Sequence, residues 1–402
     1  MEDLRNRAAA LDAADPLAAF RERFLPTDGV VAYFDGNSLG RPPRATAERL
    51  ASFVTDDWGG RLIRGWDEGW VELPVIVGDE LAAGVLGAAR GQTIVADSTS
   101  VNLFKVVSAA CYLRPDRDEI VIDTTDFPTD RYLVEAVAEQ GDMTVRWLEP
   151  DLVEGVTPDA LADLLGERTA VVVLSHVDYR SGTILDVAGI TRRVHEVGGL
   201  VVWDLCHSAG VLPVGLDADE VDFAVGCTYK YLDAGPGAPA FLYVAEQHLR
   251  EVVQPVPGWF SAADLFAMAD EYTPAPDIRR MLSGTPNIMG ILAVREGARL
   301  VAEAGVDAIR AKSVALTEYL MELVDRLDVV VVSPRQAERR GSHVTIQVPD
   351  AEGVARRLGA RDVVPDVRRP DLLRLGLSPL STSFTEVYDG LAVLADVLES
   401  DH

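Results

Sequence analysis

Two short apolar runs, 200–203 and 221–227, each break off in residues able to do chemistry. Asp204 and His207 follow the first, and Thr228, Tyr229 and Lys230 follow the second. Neighbouring strands of a buried parallel sheet deliver side chains to a crevice at their carboxyl ends in this way. A Gly/Pro-rich turn, 234–239, comes directly after the lysine and leaves space close to the backbone. A carboxylate and a lysine amine on adjacent strand ends suit a cofactor that needs both an amine and an anion. The competing reading is a surface lysine and a capping aspartate; the apolar run ahead of each residue weighs against it.

Other predicted strand ends add complementary groups. The strand at 92–95 opens into Asp97-Ser98-Thr99-Ser100-Val101-Asn102 ahead of a helix over 103–112. The hydroxyls of Thr99 and Ser100, with the free amides of a helix N-terminus, form an anion site suited to phosphate; an ordinary N-cap would use one hydroxyl. The strand at 119–123 exits through Phe127-Pro128-Thr129-Asp130, an aromatic ring and a carboxylate that suit a planar heterocycle. The valine run at 169–174 exits at Ser175. Pyridoxal phosphate requires each of these functions: an amine for its aldehyde, neutral donors for its phosphate, apolar faces for its ring, and a carboxylate to keep its ring nitrogen protonated. Asp204 is the expected partner of that nitrogen, with Asp130 as helper.

The elements that must position these groups follow from the pattern. Strand exits and helices alternate from about 90 to 245, the signature of an α/β domain with a largely parallel sheet. An amphipathic helix is expected over 3–24, interrupted near Asp15-Pro16. The segment 45–89 reads as mostly helical, and its Trp58, Trp66 and Trp70 suit either a core or the wall of a pocket. Beyond 244 the rhythm changes to loops, two long helices (288–303 and 306–327) and a small α+β region. The expected division is an N-terminal arm, 1–30, a large domain, 31–290, and a small C-terminal domain, 291–402. The 402 residues carry 37 Lys and Arg against 64 Asp and Glu, a formal charge of −27. That balance disfavours nucleic acid and anionic membranes as partners. The three cysteines, Cys111, Cys206 and Cys227, lack CxxC spacing, so no disulfide framework and no metal site is expected. No signal-peptide core or spanning run stands out, and a cytoplasmic location is expected.

The segments FDGNSLG (34–40), LIRGW (62–66), FPTD (127–130), SHVDYRSG (175–182), WDLCHSAG (203–210), GCTYKYLDAGPGAPAF (226–241), PGWF (257–260), RGSHVT (340–345) and LRLGLSPLSTSFTEVYD (373–389) together resemble the kynureninase family. That family lies in the class V aminotransferase superfamily, and the match runs in order across nearly the whole chain. The resemblance implies a fold-type I pyridoxal phosphate fold and hydrolysis of L-kynurenine, or 3-hydroxykynurenine, to anthranilate, or 3-hydroxyanthranilate, and L-alanine. It places the cofactor aldehyde on Lys230, the ring nitrogen on Asp204, His207 beside the ring and Phe127 stacked on it. Thr99, Ser100, Asp130, Ser175 and Tyr229 join the cofactor contacts, with Tyr229 also able to relay protons. Trp259 and Thr285 would reach the phosphate of a partner subunit in a homodimer with shared active sites. Arg374 would fork the substrate carboxylate, with Asn37 and Trp66 also on the substrate side. The chain departs from the family at Ser261-Ala262, where Gly and His are usual, and at Asp233 and Asp178, where Asn is common; these changes leave aryl specificity open. The alternative is another class V activity, a cysteine desulfurase or an aminotransferase.

Overall fold

The computed structural model describes residues 2–400. Helix α1 (Glu2–Ala14) stops ahead of Asp15-Pro16, and only a 3-10 segment at Ala18–Arg23 continues it. A proline cannot sit inside a helix without losing a hydrogen bond. Strand β1 (Ala32–Tyr33) leads to α2 (Arg44–Ser52), the three-residue α3 (Gly59–Arg61) and α4 (Leu73–Leu81). Apart from α3, the chain between α2 and α4 is helical only in short 3-10 and π segments, broken at Gly69, whose φ is 133°.

The central sheet is built from β2 (Thr93–Val95), β3 (Glu119–Asp123), β4 (Thr144–Leu148), β5 (Thr169–Ser175), β6 (Leu200–Asp204), β7 (Phe223–Gly226) and β8 (Phe241–Val244), in the order β2-β8-β7-β6-β5-β3-β4. Strands β4, β3, β5, β6 and β7 run parallel, and β8 is antiparallel to both β7 and β2. The β-branched run of β5 explains its centrality: Val171 and Val173 enter one apolar cluster with Leu200 and Val202, while Val172 and Leu174 enter another with Val201 and Trp203. A strand that buries both faces has no room for polar side chains until it ends. Of the run at 221–227, only Phe223–Gly226 is strand.

Helices α5 (Thr99–Tyr112), α6 (Pro128–Gly141), α7 (Pro158–Ala162) and α8 (Val187–Glu196) cross between strands. Helix α5 starts four residues earlier than the apolar periodicity indicates. The Ser98 side chain accepts the Val101 amide and begins the helix there, so Thr99 and Ser100 belong to its first turn. Helix α6 starts at Pro128, where the missing N–H costs nothing.

The C-terminal part holds α9 (Ile288–Ala304), α10 (Val306–Val324), β9 (Val330–Val331), β10 (His343–Gln347), α11 (Ala351–Gly359), β11 (Val363–Val364), β12 (Asp366–Arg368), β13 (Leu372–Gly376) and α12 (Phe384–Glu399). Strands β12-β13-β10-β9 form an antiparallel sheet, and β11 pairs with β1. Packing crosses the expected divisions at two points. Helix α9 buries Ile291, Leu292 and Val294 in the large cluster beside α2 and α4. Ala32, Phe34, Leu4 and Ala8 lie instead in the C-terminal cluster.

Candidate active site

The carboxyl ends of the parallel strands, with the N-termini of α5 and α6, enclose a cavity of about 300 Å³. Thr99 and Ser100 line it from the first turn of α5, Phe127 and Asp130 from the start of α6, Ser175 from the end of β5, and Asp204 and His207 from the end of β6. Tyr229 and Lys230 face it from the loop after β7. Nine of the residues expected from the sequence thus share one space.

The glycine at position 40 fixes the lysine loop. Its N–H donates to the Tyr229 carbonyl at 2.8 Å, and a Cβ there would lie 2.0 Å from Asp233 Oδ1 and 2.4 Å from the Lys230 carbonyl oxygen. Lys230 Nζ lies 3.3 Å from His207 Nε2. Burial first, then the positive charge of Lys230, pushes His207 well below the usual imidazole range, so the ring is neutral and can accept a hydrogen bond from Lys230. Burial, with Cys227 nearby, pushes the Tyr229 phenol up and keeps it protonated.

The floor of the cavity is anionic. Asp204 accepts the Cys206 amide at 2.5 Å. Asp130 lies beside it, fully buried, and its Oδ2 has no hydrogen-bond partner. Burial, then the Asp204 charge, pushes the Asp130 carboxyl well up. Asp126 is also buried and accepts the Ser175 hydroxyl at 2.6 Å and the Ser175 amide at 3.1 Å, which fixes Ser175 at the rim. A pair of buried carboxylates with an orphaned oxygen suits a ligand with a protonated ring nitrogen. The hydroxyls at the α5 N-terminus suit its phosphate. The residues present therefore fit pyridoxal phosphate.

Five expected site residues lie off this cavity. Trp259 is 41% exposed and packs edge-on against Phe260 at 4.5 Å between ring centres. Thr285 lines a separate depression with Asp97, Ser98 and Asn287. Trp66 packs between Trp70 and Phe260, at 5.5 and 5.7 Å. Asn37 is buried with neither amide atom hydrogen-bonded, so close to Gly376 that a Cβ there would meet its Oδ1 at 1.9 Å. Arg374 is wholly buried; its guanidinium donates to the Tyr179 carbonyl at 2.6 Å and Ser38 Oγ at 2.8 Å.

Ser38, Thr129, Tyr179, Cys206 and Arg368 line the cavity without having been assigned from the sequence. Four of them lie within the quoted motifs, one to four residues from assigned positions. Arg368 stands outside the motifs among several arginines, where residue type alone gave no signal. The Cys227 amide donates to the Cys206 sulfur at 3.2 Å, while a side-chain interaction with the Cys227 thiol, then burial, pushes the Cys206 thiol well up.

A strand-end lysine and aspartate on this sheet order define a class V aminotransferase fold, and the family model for aminotransferase class V matches residues 79–361. The apo structure of a cysteine desulfurase from Thermococcus onnurineus NA1 superimposes with a TM-score of 0.84 at 20% identity, covering 95% of this chain and 98% of that one. A C-DES structure with glycine covalently linked to its PLP cofactor gives 0.83 at 22% identity, over 94% and 99%. Within the class, the kynureninase of Pseudomonas fluorescens is 41% identical over 98% of this chain and 95% of its own length, and that of Burkholderia pseudomallei strain K96243 is 41% identical over 99% and 96%. The chain belongs to the kynureninase family.

Proposed function

We propose that the protein is a pyridoxal phosphate-dependent hydrolase that cleaves L-kynurenine, or its 3-hydroxy form, with water to give anthranilate, or 3-hydroxyanthranilate, and L-alanine. The observation that carries this reading is the Lys230–Asp204 pair across one cavity, in a chain 41% identical to kynureninases over nearly its full length. When bound, the cofactor supplies an electron sink for the carbanion equivalents of the reaction.

The chain's own residues divide the remaining work. Lys230 would hold the cofactor aldehyde and, once displaced by the substrate amine, take the α-proton; neutral His207 at 3.3 Å can accept a proton from it. Asp204 would keep the ring nitrogen protonated, with Asp130, buried beside it, as helper. Thr99, Ser100 and Ser175 would donate to the phosphate and ring substituents, and Phe127 would cover one ring face. Tyr229, held protonated, would donate to the phosphate or to the substrate ketone side. Trp259 and Thr285 would complete the phosphate site of a second copy in a homodimer; their positions outside this chain's cavity support that reading. Asn37, Trp66 and Arg374 would support the substrate side. The arm, 1–30, and the domains 31–290 and 291–402 remain our proposed division. A cytoplasmic location is supported by three free cysteines, and no helix among the described residues is long and apolar enough to cross a membrane.

A desulfurase reading needs a nucleophilic thiol at the cavity. Cys206 is placed there, but its raised thiol is a poor nucleophile. The test is anthranilate fluorescence from L-kynurenine, measured beside 3-hydroxykynurenine and cysteine. Turnover of a kynurenine and a yellow holoenzyme that loses its visible absorbance in Lys230→Ala are expected. Alanine release from cysteine without kynurenine turnover would overturn the reading.

A further inference from the structure

Two thiols that the proposed hydrolysis does not use meet beside the floor of the cavity. Strands β6 and β7 pair in parallel with Asp204 opposite Val225, and the Leu205 amide extends the ladder by donating to the Val225 carbonyl at 2.8 Å. Cys206 and Cys227, each two residues further along, therefore emerge side by side. The Cys227 amide donates to Cys206 Sγ at 3.2 Å, and Cys227 Sγ lies 3.9 Å from the Cys206 carbonyl oxygen. Neighbouring positions on such a ladder are about 4.8 Å apart, inside the range of about 4.4–6.8 Å between Cα atoms that a disulfide spans. Both cysteines are free.

The pair combines access with reactivity. Cys206 is partly exposed and lines the cavity, with Cys227 buried directly behind it. Burial pushes the Cys227 thiol up, but the bond to Cys206 and the charge of Lys230 outweigh it and hold the thiol below its usual range. The Cys206 thiol keeps its proton and shares it with the Cys227 sulfur, which takes on the thiolate character that attack on an oxidant requires. Cys111, the third thiol, lies on α5, and burial pushes it up to about 12. A small oxidant that enters the cavity thus meets one partnered dithiol, and the remaining cysteine is inert.

We propose that Cys206 and Cys227 form a modification site, a dithiol that a peroxide converts to a disulfide at the wall of the cavity and that a dithiol reductant restores. The Cys227 thiolate attacks one peroxide oxygen and expels the other as hydroxide, which leaves a sulfenic acid on Cys227. The Cys206 sulfur then attacks Cys227 Sγ, and the sulfenic oxygen leaves as water with the Cys206 proton. Two thiols are oxidised by two electrons, and one hydrogen peroxide is reduced to two waters. The new bond acts on groups around the cavity. The Cys206 amide is the donor to Asp204 at 2.5 Å, and Cys206 Sγ lies 3.9 Å from Thr99 Oγ1. Cys227 begins the run that ends at Tyr229 and Lys230. Drawing the two sulfurs from contact into a covalent bond displaces these groups, so the disulfide form binds pyridoxal phosphate more weakly. That consequence rests on the cofactor reading of the cavity, whereas the dithiol chemistry does not.

The test treats holoenzyme with a small excess of hydrogen peroxide, then counts thiols in denaturant and maps peptides by mass spectrometry. Titratable thiols should fall from three to one, with Cys206 linked to Cys227, and dithiothreitol should restore all three. The dissociation constant for pyridoxal phosphate, read from visible absorbance, should rise about tenfold or more in the oxidised form and recover on reduction. Cys206→Ser and Cys227→Ser should each abolish the linked peptide, whereas Cys111→Ser should lose both of its remaining thiols. A wild-type protein that keeps three thiols, or that forms sulfinic acids without the linked peptide, overturns the site. A linked protein that binds the cofactor as tightly as the reduced one overturns the consequence. Reduced protein that binds no cofactor would instead sink the reading of the cavity, and the linked peptide still decides the dithiol because its detection needs neither cofactor nor turnover.

Discussion

Asp130 and Asp204 stand side by side at the bottom of the cavity, and Asp130 Oδ2 has no hydrogen-bond partner among the described residues. Burial and the neighbouring Asp204 push the Asp130 carboxyl well up, towards its uncharged form. A protonated ring nitrogen facing Asp204 would answer the remaining charge. Asp204→Asn should therefore lower kcat by roughly a hundredfold or more, because an amide cannot hold that proton in place. Asp130→Asn replaces a group already pushed towards its uncharged form and should cost about tenfold or less. Steady-state kinetics on both variants decides the matter, and equal losses would mean that the two aspartates carry the charge jointly. Asp204 and Lys230 were legible in the sequence because polar residues that end a buried apolar run must face a strand-end crevice. Arg368 was not. Its neighbour Arg369 is the same residue type yet points outward to Glu352, at 2.6 Å. Only the pairing of β12 with β13, which sets Arg368 opposite Leu372, separates them.

At the scale of elements, the alternation of apolar runs and helices predicted the parallel sheet, whereas helix starts were less legible. Apolar periodicity marks the face of a helix and not its first turn, so α5 reads from Leu103 although the Ser98 cap starts it at Thr99. The amino-terminal end of the parallel strands, away from the cavity, holds a different device. Asp222, just before β7, accepts from His195 at the end of α8 and from His248 after β8, each at 2.8 Å, and from the Val201 amide at 2.9 Å. Burial pushes Asp222 up, but the bonds from the two histidines outweigh it and hold the carboxyl below its usual range. The bond to Asp222 raises His195, against the opposing effect of burial. A histidine raised in the folded state adds stability that is fully present below its unfolded value, about 6.5, and is lost as pH climbs through the raised value. The difference in Tm between wild type and His195→Gln should thus be largest near pH 6 and shrink towards pH 9. A difference that stays constant with pH would show that the ring contributes packing alone.

For the whole molecule, 64 acidic and 37 basic residues leave a charge of −27 that local pairing does not remove. Many of the ion pairs lie at the surface, such as Arg168–Asp118, Arg335–Asp325 and Arg361–Asp396, all more than 40% exposed at both side chains. Each such pair contributes only about 0–1 kcal/mol and is weakened by salt. The repulsion among excess carboxylates is long-ranged, and it is screened once the Debye length falls from about 30 Å at 0.01 M to about 8 Å at 0.15 M salt. The two effects of salt have opposite signs, and the size of the net charge decides between them, because every excess carboxylate is relieved whereas each pair loses little. The Tm at neutral pH should accordingly rise by roughly 1–2 °C for about 1 kcal/mol or slightly more, between 10 mM and 150 mM sodium chloride. Scanning calorimetry of the holoenzyme at fixed cofactor concentration measures it, since ligand binding itself shifts Tm. A Tm that falls with salt would mean that the surface pairs, acting as a connected network, outweigh the repulsion of the acidic shell.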